Sequence, residues 1–145
     1  MKNLENLEAF LKFIVEAAQW RLAWEIKREE EMVKIDFTGE DAPILLAHNA
    51  EAMRALEYLL NRIHEKGGSK IVLDCNDYRG MREQELRLMA QMAAERVKSL
   101  RQPHKFSPMA PDERRIIHLA IADDPGLRTE SEGFGDNRKV VIYPK

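Results

Sequence analysis

A single cysteine, Cys75, stands among the 145 residues. One thiol builds neither an intrachain disulfide nor a cysteine-based metal site. Its position at the end of the run Ile71-Val72-Leu73-Asp74-Cys75 reads as a buried thiol suited to a reducing cytosol. Long apolar runs are also missing: charges interrupt each one, so no membrane span is expected. The N-terminus lacks a basic flank followed by an apolar segment, so no signal peptide is expected and the location reads as cytoplasmic. A strong charge of either sign is absent. With 23 basic and 25 acidic residues, the formal net charge is only −2, which excludes a uniform polyanion-binding field. The four histidines are scattered, and no pair has metal-ligand spacing with a carboxylate. No metal, no cofactor and no catalytic residue are therefore expected. Lacking a clustered carboxylate or histidine set, the chain reads as not an enzyme.

Apolar residues make up 44% of the chain, enough to bury a real core. The length suits one ordinary domain or two very small ones. The charge is unevenly spread. Residues 1–66 hold nine basic and thirteen acidic side chains, residues 67–102 seven and five, and residues 103–145 seven of each. Contact with nucleic acid then needs a local patch toward the C-terminal half. The basic surplus of the middle segment reads equally as a solvated helix face.

Hydrophobic periods divide the chain into elements. Leu4, Leu7, Leu11, Ile14, Val15 and Ala18 make one face of a helix over residues 4–18. The period then changes to two: Leu22, Trp24 and Ile26, then Val33, Ile35 and Phe37, predict a hairpin around Glu29-Glu30-Glu31. Trp24 is expected in the core and Trp20 half exposed. Ile44-Leu45-Leu46 predicts a short turn of helix. A longer helix runs to about His64, closed by Gly67-Gly68. Ile71-Val72-Leu73 predicts a third strand, giving the order α-β-β-α-α-β. A helix from Asp77 to about Arg101 follows, with a stripe of Leu86, Met89, Ala93, Val97 and Leu100; Met81, Met89 and Met92 are expected to pack. After Pro103 come an extended stretch over His104–Met109 and a helix from Pro111 to Asp123. Two short strands follow, near Leu127–Glu132 and Lys139–Tyr143. Pro111 fits a first helical position, and Asp112 and Glu113 suit the helix dipole.

The C-terminal helix carries the pattern of interest. Arg114 and His118 are four apart and lie on one face, with Arg115 at its edge. Ile116, Leu119 and Ala120 are expected to point toward the core. A guanidinium fork with an imidazole donor beside it suits phosphate recognition. Arg138 and Lys139 would enlarge the patch. A solvated face beside Asp112 and Glu113 accounts for the same pair without function. Glu130 and Glu132 read as salt-bridge partners, or as an orienting group for Arg138 or a metal.

These residues resemble the Jag family. The first part of the match is Phe37-Thr38-Gly39-Glu40-Asp41, the helix with Ala55-Leu56-Glu57-Tyr58-Leu59-Leu60, and Ile71-Val72-Leu73-Asp74. The second is Pro111-Asp112-Glu113-Arg114-Arg115-Ile116-Ile117-His118-Leu119-Ala120, then Asp123-Asp124-Pro125-Gly126, Thr129-Glu130-Ser131-Glu132-Gly133 and Arg138-Lys139-Val140-Val141-Ile142. The resemblance implies an α+β chain in three parts. Residues 1–76 would form a KH-like domain of type II, residues 77–102 a connecting helix, and residues 103–145 a small α/β R-three-H domain. It reads as a short form without the additional N-terminal domain many members carry. It also implies a regulatory protein that binds single-stranded nucleic acid, RNA before DNA. The nucleic-acid-binding residues would be Arg114, His118, Arg115, Arg138 and Lys139.

The family's Gly-x-x-Gly loop is replaced here by Ala47, His48, Asn49 and Ala50. That loop works by letting backbone N–H groups approach phosphates, which glycine permits because it lacks Cβ and accepts positive φ. Asn49 tolerates a left-handed turn and His48 offers a polar contact. The alanines would equally suit a fusion of the two flanking helices. A second reading follows from this loss: the KH-like half serves as a dimerisation or docking surface, for a homodimer or another KH protein.

Overall fold

Helix α1 (Lys2–Ala17) stops where the hydrophobic period changes. The computed structural model describes residues 2–64 and 68–145, with side chains from residue 5 onward; Gly67 and the side chain of Leu4 therefore lie outside the described residues. The chain forms two units, Met1–Arg79 and Gly80–Lys145, each around a core of its own.

In the first unit α1 buries Leu7, Leu11 and Val15, spaced so that they share one face. Strands β1 (Ala23–Arg28) and β2 (Met32–Thr38) pair antiparallel, with Trp24 opposite Phe37 and Ile26 opposite Ile35. Strand β3 (Lys70–Cys75) joins β2 in parallel, so the sheet order is β1-β2-β3. The central strand β2 buries Val33, Ile35 and Phe37 on one face, as its period of two requires. Strand β1 is an edge. Trp24, expected in the core, is only partly buried there, its ring 6.4 Å from that of Phe37.

Helix α2 (Ala42–Ile63) lies between β2 and β3 in the chain, and it is interrupted. Ala47 is extended, and His48, Asn49 and Ala50 are all left-handed, with φ of 54°, 56° and 61°. The flanking arms do not fuse across the alanines. The unit thus runs α-β-β-α-α-β, as its periodicity predicts. Gly39 turns the chain from β2 into α2 at a φ of 133°, where a Cβ would collide with the carbonyl of Arg21. The backbone N–H of Arg21 donates to Asp41 at 2.6 Å, which ties that turn to the strand entry. Asp74 is buried and accepts from the backbone N–H of Cys75 and of Arg79. Burial, and then the charge of Asp74, push the Cys75 thiol above its usual pKa.

The second unit is a three-stranded sheet with two helical walls. Strands β4 (His104–Lys105), β5 (Leu127–Glu132) and β6 (Lys139–Pro144) are antiparallel in the order β4-β6-β5. Only the first two residues of the stretch expected to be extended after Pro103 pair as a strand. Helix α3 (Tyr78–Leu100) buries Leu86, Ala90, Ala93, Ala94 and Val97. They share a core with Phe106, Ile117, Leu127, Val140 and Ile142. The helix expected as a connector is therefore a wall of this core from Leu86 onward. Its small alanines allow close approach, and the longer Met89 and Leu100 stay outside. Met81 and Met92, expected to pack, are exposed. Among the described residues no helix is long and apolar enough to cross a membrane.

Candidate nucleic-acid interface

Helix α4 (Pro111–Ile121) packs against β5 and β6, and the face it turns inward fixes the site. Its core residues are Ile117 and Ile121, together with Glu113, which is 2% exposed. This differs from the expected inner face. Ile116 is only partly buried, and Leu119 and Ala120 are exposed. With Glu83 and Arg87 they line a shallow surface depression. The reason lies in Glu113. The inner stripe follows Glu113-Ile117-Ile121, spaced by four, because the Glu113 carboxylate is drawn inward by Arg82 at 3.1 Å. Glu113 serves the interior of the domain more than the helix dipole.

Rotating the stripe places Arg114 and His118 on the flank of α4, half-buried, where an open polar face was expected. His118 is held from two sides. Its Nδ1 is 2.7 Å from the Thr129 hydroxyl, and its Nε2 is 2.9 Å from the Ser131 hydroxyl. The geometry follows from strand periodicity. Leu127 is buried, so Thr129 and Ser131, two and four residues on, point to the same face of β5 and meet α4. A hydroxyl either donates or accepts, so both tautomers of the neutral ring are satisfied. Burial, then Arg114 and Arg138, lower the pKa of His118 from its ordinary value of 6.5. The ring is oriented by the two hydroxyls, and the charges of Arg114 and Arg138 disfavour its protonation.

Arg138 reaches this group from the turn before β6. Its Nη1 donates to the carbonyl of Gly133 at 2.8 Å. It has the same strand parity as Val140 and Ile142, whose side chains face α4. Lys139 does not join the group. It pairs directly with Glu132 across the ladder, on the face opposite Ser131. Arg115 is exposed at the rim. On Arg114 the Nε is shielded from solvent and has no hydrogen-bond partner among the described residues. The expected patch therefore contracts to Arg114, His118 and Arg138, with Arg115 beside it. Glu130 pairs with Arg128, and Glu132 accepts from the Tyr143 hydroxyl, so neither orients Arg138. Among the described residues no group of acidic, histidine or cysteine side chains is arranged to hold a metal.

Thr129 and Ser131 were not among the residues singled out as the expected binding site. Their signal is present all the same: two hydroxyl residues spaced by two on a strand, beside a helix that carries a histidine. In the first unit, Ala47, His48 and Asn49 lie at the surface and Ala50 is fully buried. Close to this loop the guanidinium of Arg54 donates through Nε to the carbonyl of Asn49 at 3.2 Å.

Residues 84–144 match the family model of the R-three-H domain. The RNA-binding protein KhpB of Clostridium symbiosum is 32% identical over 124 residues, 83% of this chain and 56% of that protein. The RNA-binding protein KhpB of Bacillus subtilis is 28% identical over 148 residues, 98% of this chain and 71% of that protein. A third, from Streptococcus pneumoniae, is 33% identical over 103 residues, 68% of this chain and 31% of that protein. The chain thus spans little more than half of the first relative's length.

Proposed function

Because this chain belongs to the Jag family and carries an R-three-H domain over residues 84–144, we propose that it binds single-stranded nucleic acid through phosphates gripped by Arg114, His118 and Arg138. The observation that carries this reading is the imidazole of His118, oriented by Thr129 and Ser131 and within the electrostatic reach of the Arg114 and Arg138 guanidinium groups. Arginine forks recognise phosphate oxygens in pairs of hydrogen bonds, and His118, whose two nitrogens are held by Thr129 and Ser131, adds positive charge beside them when it is protonated. The unpartnered Nε of Arg114 leaves a donor to be satisfied. RNA is the preferred ligand, in keeping with the relatives named as RNA-binding proteins.

The protein acts in the cytoplasm and regulates by binding, without catalysis. Both nitrogens of His118 are engaged by hydroxyls, and among the described residues no carboxylate orients the ring as a general base requires. The Ala47–Ala50 segment contributes little, since it carries no lysine or arginine of its own.

The test is a filter-binding titration of a short single-stranded RNA at low and high salt, with the RNA recovered on a gel. Saturable binding that weakens with salt, with the RNA intact, is expected. Binding absent at low salt, or RNA cut during incubation, would overturn the reading.

A further inference from the structure

Phe134 is the most exposed large apolar side chain of the described residues, at 90%. It projects from the turn joining β5 to β6, directly after Gly133. That turn is a fixed structure. The Asn137 N–H donates to the Phe134 carbonyl at 3.1 Å, and the Arg138 N–H donates to the Gly135 carbonyl at 3.2 Å, closing a 3-10 turn over Gly135–Asn137. Gly133 takes a φ of 93°, and a Cβ there would lie 3.0 Å from the carbonyl of Asn137. The Arg138 guanidinium bonds the Gly133 carbonyl from outside. Several constraints thus hold an aromatic ring in water, where it contributes nothing to the core.

The same guanidinium belongs to the group around His118. The cation that would hold a phosphate therefore touches the carbonyl of the residue preceding the ring. A nucleotide whose phosphate is held by Arg138 is tethered beside the turn that carries Phe134, where its base would meet the ring. Asp136, exposed in the same turn, weakens phosphate attraction toward the tip, so the ring's contact is with an uncharged base face. Stacked bases of a duplex do not offer that face; an unpaired base does. We infer that Phe134 is a stacking platform for one unpaired base, and that the ring with Arg138 makes the site select single strands. This inference rests on the phosphate reading above and adds the base to it.

The experiment compares the full chain with Phe134→Ala, Phe134→Trp and Arg114→Ala. Each is titrated with a short single-stranded RNA, and with versions carrying an abasic nucleotide at each position in turn. Phe134→Ala should weaken the intact RNA about tenfold, which is about 1.4 kcal/mol. Its salt slope should stay that of the parent, since no ion is released by stacking, and its melting temperature should not change. Phe134→Trp should bind as well as the parent. At one abasic position the parent should lose affinity while Phe134→Ala loses no more. If Phe134→Ala binds as the parent does while Arg114→Ala is weakened, the stacking platform is overturned and the phosphate site stands. If Phe134→Ala alters only self-association of the protein, the ring is a protein contact and the inference is overturned. If Phe134→Ala is weakened and Arg114→Ala is not, stacking stands and the phosphate reading fails. If the parent does not bind, both fail.

Discussion

His118 takes up its proton at a pH set by its burial and by two neighbours. Burial, Arg114 and Arg138 all lower its pKa below 6.5, whereas in the unfolded chain the ring titrates near that value. Between the two values the unfolded state binds more protons, so stability is full above pH 6.5 and falls as the pH drops toward the folded pKa. His104 adds to the effect with the same sign, its pKa lowered by burial and by Arg96. The urea midpoint should fall between pH 7.5 and 5.5, and His118→Gln should remove part of that fall, leaving the share of His104. A midpoint unaffected by acidification would contradict the packing described. Binding runs the other way. A phosphate between Arg114 and Arg138 offsets their repulsion of the imidazolium, raising the pKa in the complex. Affinity should then grow as the pH falls through and below 6.5, and His118→Gln should flatten this rise, measured by RNA titration at two pH values. The pairing of Arg114 with His118 was legible from their spacing of four. What was not legible is that the pair is half-buried, because that depends on Glu113 turning inward to Arg82, a contact 31 positions apart in sequence.

The elements were legible wherever a side-chain period declared them. The antiparallel pair of β1 and β2 follows from alternation at Trp24, Ile26, Val33, Ile35 and Phe37, and β5 has the bounds its pattern predicts. The inner face of α4 was misread because a charged residue occupies one of its positions, and hydrophobicity gives no sign of that. An inward glutamate has a measurable consequence. Glu113→Ala leaves the Arg82 guanidinium, 14% exposed, without its buried partner, and should destabilise the second unit by about 3 kcal/mol. Arg87→Ala, at an exposed pair with Glu83, should cost only about 0.3 kcal/mol. Equal effects in chemical denaturation would contradict the assignment of Glu113 to the interior. In α2 the left-handed run at 48–50 preserves the break between two helices without glycine. Left-handed backbone costs an ordinary residue about 1–2 kcal/mol, part of which glycine recovers. His48 is exposed and packs against little, so His48→Gly should raise stability by about 0.5–1 kcal/mol. Ala50 is fully buried and carries a positive φ as well, so its replacement mixes strain relief with lost packing. A destabilised His48→Gly would mean that the loop is not left-handed in solution.

At the scale of the whole chain, charge decides how binding responds to salt. A net charge of −2 and the acidic surplus of residues 1–66 give no general attraction for a polyanion. On the proposed reading, binding comes from the few cations of the second unit around His118. At pH 7.5 His118 is neutral, leaving Arg114, Arg115 and Arg138. Each phosphate neutralised on a single strand contributes about −0.7 to the slope of log affinity against log salt, so three give about −2. The local patch was foreseeable from the uneven charge of the sequence. Its membership was not, because strand parity places Lys139 on the far face beside Glu132. Lys139→Ala should therefore leave the slope where it is. The most direct measurement is a salt-dependent titration of a short single-stranded RNA with the parent, with Arg114→Ala plus Arg138→Ala together, and with Lys139→Ala as control. The double variant should remain folded, lose most of its affinity, and show a slope shallower by about 1.4. A folded double variant that keeps both the parent's affinity and its slope would contradict phosphate binding at Arg114, His118 and Arg138.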